Sequence, residues 1–224
     1  MDDHEFAELR QHMIAEIAAK TIFACGQLDK AALASRTLAA LDKVPRHEFV
    51  PFELQPFAYA DTPLPIGFDK TISQPFIVAV MTDLLDLQAT DVVLEVGTGL
   101  GYQSAVLAEL AQQVYSIELI SGLAAQAKIR LARQGHRNVE VRVENGWRGW
   151  PAHAPFDKII VTAAPDHIPP ALVDQLKPGG KMVLPTGAPD DQRLLVLDKG
   201  DDGTTRTREV FGVRFSLMLD TEPG

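Results

Sequence analysis

Apolar side chains recur at helical spacing from the start of the chain. Phe6, Leu9, Met13 and Ile17 fall on one stripe, widened by Ile14 and Ala18, and predict a first helix. A second helix is predicted over residues 29–42, lined by Leu33, Thr37, Leu38 and Leu41 and ended by Pro45. Residues 44–70 carry Pro45, Pro51, Pro56, Pro63 and Pro65, which reads as loops and short extended pieces. A third helix is predicted to start at Ser73-Gln74-Pro75 and run to Leu85, with Ser73 as its N-cap and Pro75 in its first turn.

From residue 91 the period changes. Apolar runs at 92–96, 114–118, 139–143, 158–162 and 181–184 predict strands, with helices at 102–110 and 122–134. Strands separated by helices imply a parallel sheet covered on both faces. Residues 193–198 and 209–219 read as two further strands joined only by 199–208, which favours an antiparallel pair. The expected fold class is therefore α/β: a doubly wound sheet with an antiparallel C-terminal element and a helical N-terminal cap. One domain over 1–224 is expected, with 1–85 as the cap and substrate side and 91–224 as the cofactor-binding sheet.

Composition narrows the functions this fold can serve. Of the 224 residues 46% are apolar and 23% charged, which is enough for a core without staples. Cys25 is the only cysteine, so neither an internal disulfide nor a cysteine metal site is expected. His4, His12, His47, His136, His153 and His167 show no ligand grouping, and no metal is expected. The net charge of −9 argues against nucleic acid as a partner. Arg130, Arg133 and Arg137 read as a solvated helix face. The acidic start Met1-Asp2-Asp3-His4-Glu5 is unlike a signal peptide, and no apolar run would span a membrane, so a cytoplasmic protein is expected.

The strongest local signal is Glu95-Val96-Gly97-Thr98-Gly99-Leu100-Gly101, a strand delivering a glycine turn to a helix. Ligands of open α/β sheets bind at that carboxyl edge, and a helix N-terminus there offers N–H groups and positive potential. A tight connection with no ligand would use the same glycines. Glu118, at the end of the next strand, favours a nucleoside, because a carboxylate there can accept both ribose hydroxyls. The glycines fall at every second position, unlike the G-x-G-x-x-G of dinucleotide enzymes, yet an NAD-dependent oxidoreductase stays open on Glu118 alone.

The spacing E-x-G-x-G-x-G resembles the first motif of the class I S-adenosylmethionine-dependent methyltransferases, whose sheet is Rossmann-like. Further out, the chain resembles the protein-L-isoaspartate O-methyltransferase family. The resemblance rests on Val44-Pro45-Arg46, Phe49-Val50, Leu64-Pro65-Ile66-Gly67, Thr71-Ile72-Ser73-Gln74-Pro75 and Gly101-Tyr102-Gln103. It continues through Tyr115-Ser116-Ile117-Glu118, Gly146-Trp147-Arg148-Gly149-Trp150, Val161-Thr162-Ala163-Ala164, Leu176-Lys177-Pro178-Gly179-Gly180 and Val213-Arg214-Phe215. It implies S-adenosyl-L-methionine as cofactor and isoaspartyl proteins or peptides as substrates. It also implies Ser73 as the catalytic residue, with Ser73 and Val78 on the substrate. Thr71, Ile72, Glu95, Gly97, Gly99, Gly101, Glu118, Leu119, Asn145 and Gly146 are implied on the cofactor.

Three departures stand out. Glu144-Asn145-Gly146 replaces the family's Gly-Asp-Gly, whose aspartate faces the adenine; Asn145 is expected to take that contact as a neutral acceptor, with Glu144 a bystander. Leu100 stands where a small polar residue is common, and Ser216-Leu217 where the family has Val-Pro. A paralogue methylating another carboxylate, or binding cofactor without repair activity, is the alternative within the fold. The absence of a nucleophilic Cys-His or Ser-His set fits the implied reaction, since a carboxylate is already ionised at neutral pH and needs no base.

Overall fold

The computed structural model describes residues 1–28 and 30–222. Helix α1 (Asp3–Leu28) buries Phe6, Met13 and Ile17, as the apolar stripe predicts, and extends past it to Thr21 and Leu28. Helix α2 (Ser35–Lys43) starts later than the predicted residue 29, which itself lies outside the described residues. The reason is tertiary. Lys30 Nζ and the Ala34 N–H both reach the buried Asp83 carboxylate, at 2.7 and 2.8 Å, and hold residues 30–34 extended or bent.

Two 3-10 turns, Arg46–Phe49 and Phe52–Phe57, occupy the proline-rich stretch. An antiparallel hairpin follows, β1 (Leu64–Gly67) against β2 (Lys70–Ile72). Helix α3 (Pro75–Leu84) corrects one expectation: its N-cap is Gln74, not Ser73. Proline fits best at the first helical position and pushes its predecessor into extended geometry, so Pro75 makes Gln74 the cap and leaves Ser73 outside the helix.

The main sheet has seven strands: β3 (Val92–Val96), β4 (Gln113–Glu118), β5 (Val139–Val143), β6 (Phe156–Val161), β7 (Leu176–Ala188), β8 (Asp191–Lys199) and β9 (Thr205–Val213). Helices α4 (Tyr102–Ala108), α5 (Ser121–Arg133) and α6 (Pro170–Asp174) connect them. Their order is β5-β4-β3-β6-β7-β8-β9, parallel as far as β7 and antiparallel in β7–β8 and β8–β9. The expected antiparallel C-terminal element is thus present, and β7 is longer than its apolar run at 181–184.

Alternate residues face opposite cores. Val93, Val114, Ile160 and Val183 pack with Ala105, Ala124 and the N-terminal helices. Leu94, Ile117, Ile159 and Met182 pack with Trp150, Phe156 and Leu172. After β3 the chain adds β4 and β5 on one side, then crosses to β6 on the other. Val96 pairs Ile117 and Val161, so three strand ends meet at this switch point. Among the described residues no helix is long and apolar enough to cross a membrane.

Candidate active site

The turn after β3 is built by its own backbone and two neighbours. The N–H groups of Gly97 and Thr98 donate to the Ile117 carbonyl, at 2.8 and 3.2 Å, and that of Gly101 to the Thr98 carbonyl at 2.9 Å. Gly97 has φ +101, and a methyl group on it would collide with the Thr162 hydroxyl, which donates to the Gly97 carbonyl at 2.7 Å. Only glycine meets both demands. Gly101, at φ +96, instead lets α4 approach Leu131 of α5, a packing role.

Glu118 closes the turn from the side. Its Oε2 accepts the Gly99 N–H at 2.8 Å and its Oε1 the Ile120 N–H at 3.0 Å, which leaves lone pairs on both oxygens. Burial pushes this carboxyl up from the ordinary carboxylate range, and the backbone donors partly counter that. Glu95 lies beneath the turn, fully buried. Ser104 of α4 and Ser116 of β4 both donate to its Oε2, while Oε1 has no partner. Burial pushes its carboxyl up to about 7 against the pull of these hydroxyls.

These parts border a cavity at the carboxyl edge of the sheet, where ligands of such folds bind. Of the residues singled out in the sequence, Thr71, Ile72, Ser73, Val78, Gly97, Gly99, Glu118, Leu119 and Gly146 line it. Glu95, Gly101 and Asn145 do not. Glu95 supports the turn from below, and Gly101 packs α4 on α5.

Asn145 is buried and caps the short turn Gly146–Arg148, accepting the Trp147 N–H at 2.9 Å and donating to Asp220 at 2.8 Å. Both ends of its amide are therefore engaged within the protein. The sequence missed part of the wall: Thr98, Lys70, Leu123, Thr162 and the strap Ser216–Leu217–Met218–Leu219. Thr162 falls in a segment that carries the resemblance and the strap follows one, with Ser216-Leu217 a departure from it, which was the available signal. Lys70 and Leu123 carried none.

A second cleft adjoins the first and shares Thr71, Ser73, Thr162 and Ser216 with it. Ser73 thus stands where the two meet. Its hydroxyl takes part in no hydrogen bond among the described residues. The same holds for metal-ligand clusters: none of three or more His, Cys, Asp or Glu groups occurs there.

The family model for protein-L-isoaspartate(D-aspartate) O-methyltransferase matches residues 20–222. The chain belongs to this family. It is 64% identical over all 224 of its residues to protein-L-isoaspartate O-methyltransferase 1 of a Polaromonas species, covering 95% of that protein. A solved structure named protein-L-isoaspartate O-methyltransferase superposes with a TM-score of 0.79 at 25% identity, over 93% of this chain and 65% of that one. A Plasmodium falciparum β-aspartate methyltransferase in complex with S-adenosyl-L-homocysteine has the same fold, with TM-score 0.74 at 21% identity over 90% of this chain and 96% of that one. Membership in the family carries the enzyme class and the Rossmann-like class I sheet that the motifs implied, with S-adenosylmethionine as the methyl donor.

Proposed function

We propose that this chain esterifies the free α-carboxylate of isoaspartyl residues in damaged proteins or peptides, as a single methyltransferase domain. The observation that carries the reading is the position of Ser73, which lines both the first cavity and the adjoining cleft with its hydroxyl unengaged. Glu118 would hold the ribose of S-adenosylmethionine through lone pairs its backbone donors leave free. The backbone of Gly97, Gly99 and Gly146 would border the cofactor, with Thr71, Ile72 and Leu119 against it.

The cofactor supplies an electrophilic methyl group on a sulfonium. The chain's own residues have a simpler task. An isoaspartyl carboxylate is ionised at neutral pH, so no residue needs to remove a proton. Ser73 would donate a hydrogen bond to one carboxylate oxygen and aim the other along the line to the methyl carbon, with Val78 as an apolar wall beside it. Rate then comes from alignment and from keeping water out. Ile72, Val78, Leu217 and Leu219 give the first cavity an apolar lining suited to that. The ester product closes to a succinimide without further help from the protein, the neighbouring amide nitrogen displacing methanol from the ester carbonyl, and hydrolysis returns part of it as normal aspartate.

Ser73→Ala tests the reading. Methyl transfer to an isoaspartyl peptide is expected to fall about 10- to 100-fold, the scale of a hydrogen bond to a charged group. Affinity for S-adenosylhomocysteine by calorimetry should stay nearly intact. Full activity in a folded variant would reduce Ser73 to a linker residue.

A further inference from the structure

Because the Ser73 hydroxyl has no partner of its own, only the backbone of its segment can place it. That backbone is gripped from two sides by buried charged side chains from outside its own segment. On one side the Ser73 carbonyl accepts from Arg46 Nη2 at 2.8 Å. The same guanidinium donates through Nε to the Ala58 carbonyl at 2.7 Å. On the other side Asp61 accepts the Phe76 N–H and Gln74 Nε2, both at 2.8 Å, and Lys20 of α1 bonds to the same carboxylate.

Arg46 is 0% exposed, and its guanidinium lies 4.9 Å over the ring of Tyr102. Tyr102 is the first residue of α4, directly after the glycine turn, and lines the cofactor cavity. One planar cation therefore touches the catalytic segment with one edge and the start of the cofactor helix with its face.

Burying a guanidinium is unfavourable unless its donors are used, and here Nη1 has no partner, nor does the Tyr102 hydroxyl. An apolar side chain would fill the space without that penalty. A rigid fork that holds two carbonyls while stacking on a ring is what arginine offers and lysine does not. Burial lowers the Arg46 pKa to about 10, so it remains a cation at neutral pH.

We propose that Arg46 is a positioning residue for methyl transfer. It ties the Ser73 backbone to Tyr102, and so fixes the serine hydroxyl at a set distance from the cofactor turn, with Asp61 holding the same segment from its far side. The proposal rests on the reading of Ser73 given above.

A double-mutant cycle in the full chain tests it. Arg46→Lys keeps the charge and loses the fork. Its kcat on an isoaspartyl peptide is expected to fall about tenfold or more, as small misplacements at a reacting centre do, with S-adenosylhomocysteine affinity unchanged. In a Ser73→Ala background the same substitution should have little further effect on kcat, because a residue acting through another is not additive with it. Melting temperatures keep all assays below unfolding.

An equal kcat loss in both backgrounds, or a loss that tracks cofactor affinity, would overturn the proposal while leaving Ser73 as assigned. So would full activity of folded Arg46→Lys. Full activity of Ser73→Ala alone would remove the reading of Ser73 and the proposal together. Should Arg46→Lys fail to fold, Asp61→Asn loosens the segment from its other side. It is expected to show the same kcat loss with serine present and none without, and an additive loss overturns the account equally.

Discussion

The glycine turn and the Ser73 segment face each other across one cavity and are built in opposite ways. The turn is held through its backbone. Its N–H groups are taken by Ile117, Glu118 and Thr98, and its shape follows from glycines that tolerate positive φ and from the strand and helix that flank it. The Ser73 segment has no such internal pattern. Arg46, Asp61 and, through Asp61, Lys20 hold it, from three separate elements of the first 61 residues. The comparison teaches that the same site combines one part specified by backbone hydrogen bonds and glycine geometry and one specified by buried charged side chains. Changes near the turn should therefore appear in cofactor affinity and stability, and changes around the Ser73 segment in turnover.

The largest expected effect on the turn side comes from Glu95. Its carboxyl titrates near 4.5 in an unfolded chain and at about 7 in the folded protein. The folded state thus binds more protons between these values, and the stability this confers is fully present below about pH 4.5 and lost as pH rises to about 7. The loss should amount to roughly 3 kcal/mol. Glu95→Gln removes the titrating group, so thermal melts between pH 4.5 and 7.5 should show a flatter pH dependence in the variant than in the parent. Parallel curves would mean that Glu95 is not the buried proton site.

Next comes Glu118→Ala, expected to weaken S-adenosylhomocysteine binding by about 1.5–3 kcal/mol, the range for hydrogen bonds to a charged group. Part of that loss is local, since the Gly99 and Ile120 N–H groups lose their acceptor. Calorimetry showing unchanged affinity in a folded variant would remove Glu118 from the cofactor site.

The smallest effect concerns Asn145 and reverses a sequence-based expectation. With Asn145 read as a neutral adenine acceptor, Asn145→Asp should have tightened cofactor binding. In the structure its amide N–H₂ donates to Asp220, and an aspartate at 145 would set two carboxylates against each other. Position 145 is buried, but Asp220 is exposed and can turn into solvent, so the penalty should be about 1 kcal/mol. Asn145→Asp is expected to weaken binding slightly, and adding Asp220→Asn to restore it. Tighter binding in the single variant would return Asn145 to the adenine.

Sequence reading reached the local half of the molecule well. Strands at 92–96, 114–118 and 139–143 and the turn at 97–101 follow from period and glycine chemistry alone. It fell short where distant groups decide. Residues 30–34 have no signal against helix except a carboxylate at Asp83, about fifty positions on. Ser73 looked like a cap because serine usually is one near a helix start, but Pro75 had already fixed the cap one residue later. Arg46 was visible only as part of a family motif, since nothing in one sequence says that an arginine will be buried against Ser73. The contact of Asn145 with Asp220 was not legible, because that partner lies 75 residues away and on no recognisable element.

The central claim is that the junction at Ser73 accepts the displaced α-carboxylate of an isoaspartyl residue. The most direct measurement is methyl transfer from S-adenosylmethionine to an isoaspartyl peptide beside its normal aspartyl twin. The two offer the same charge, placed one methylene differently, so a site that works by alignment should methylate the first and leave the second nearly untouched. Comparable rates on both peptides would contradict the claim, even with methyl transfer itself intact.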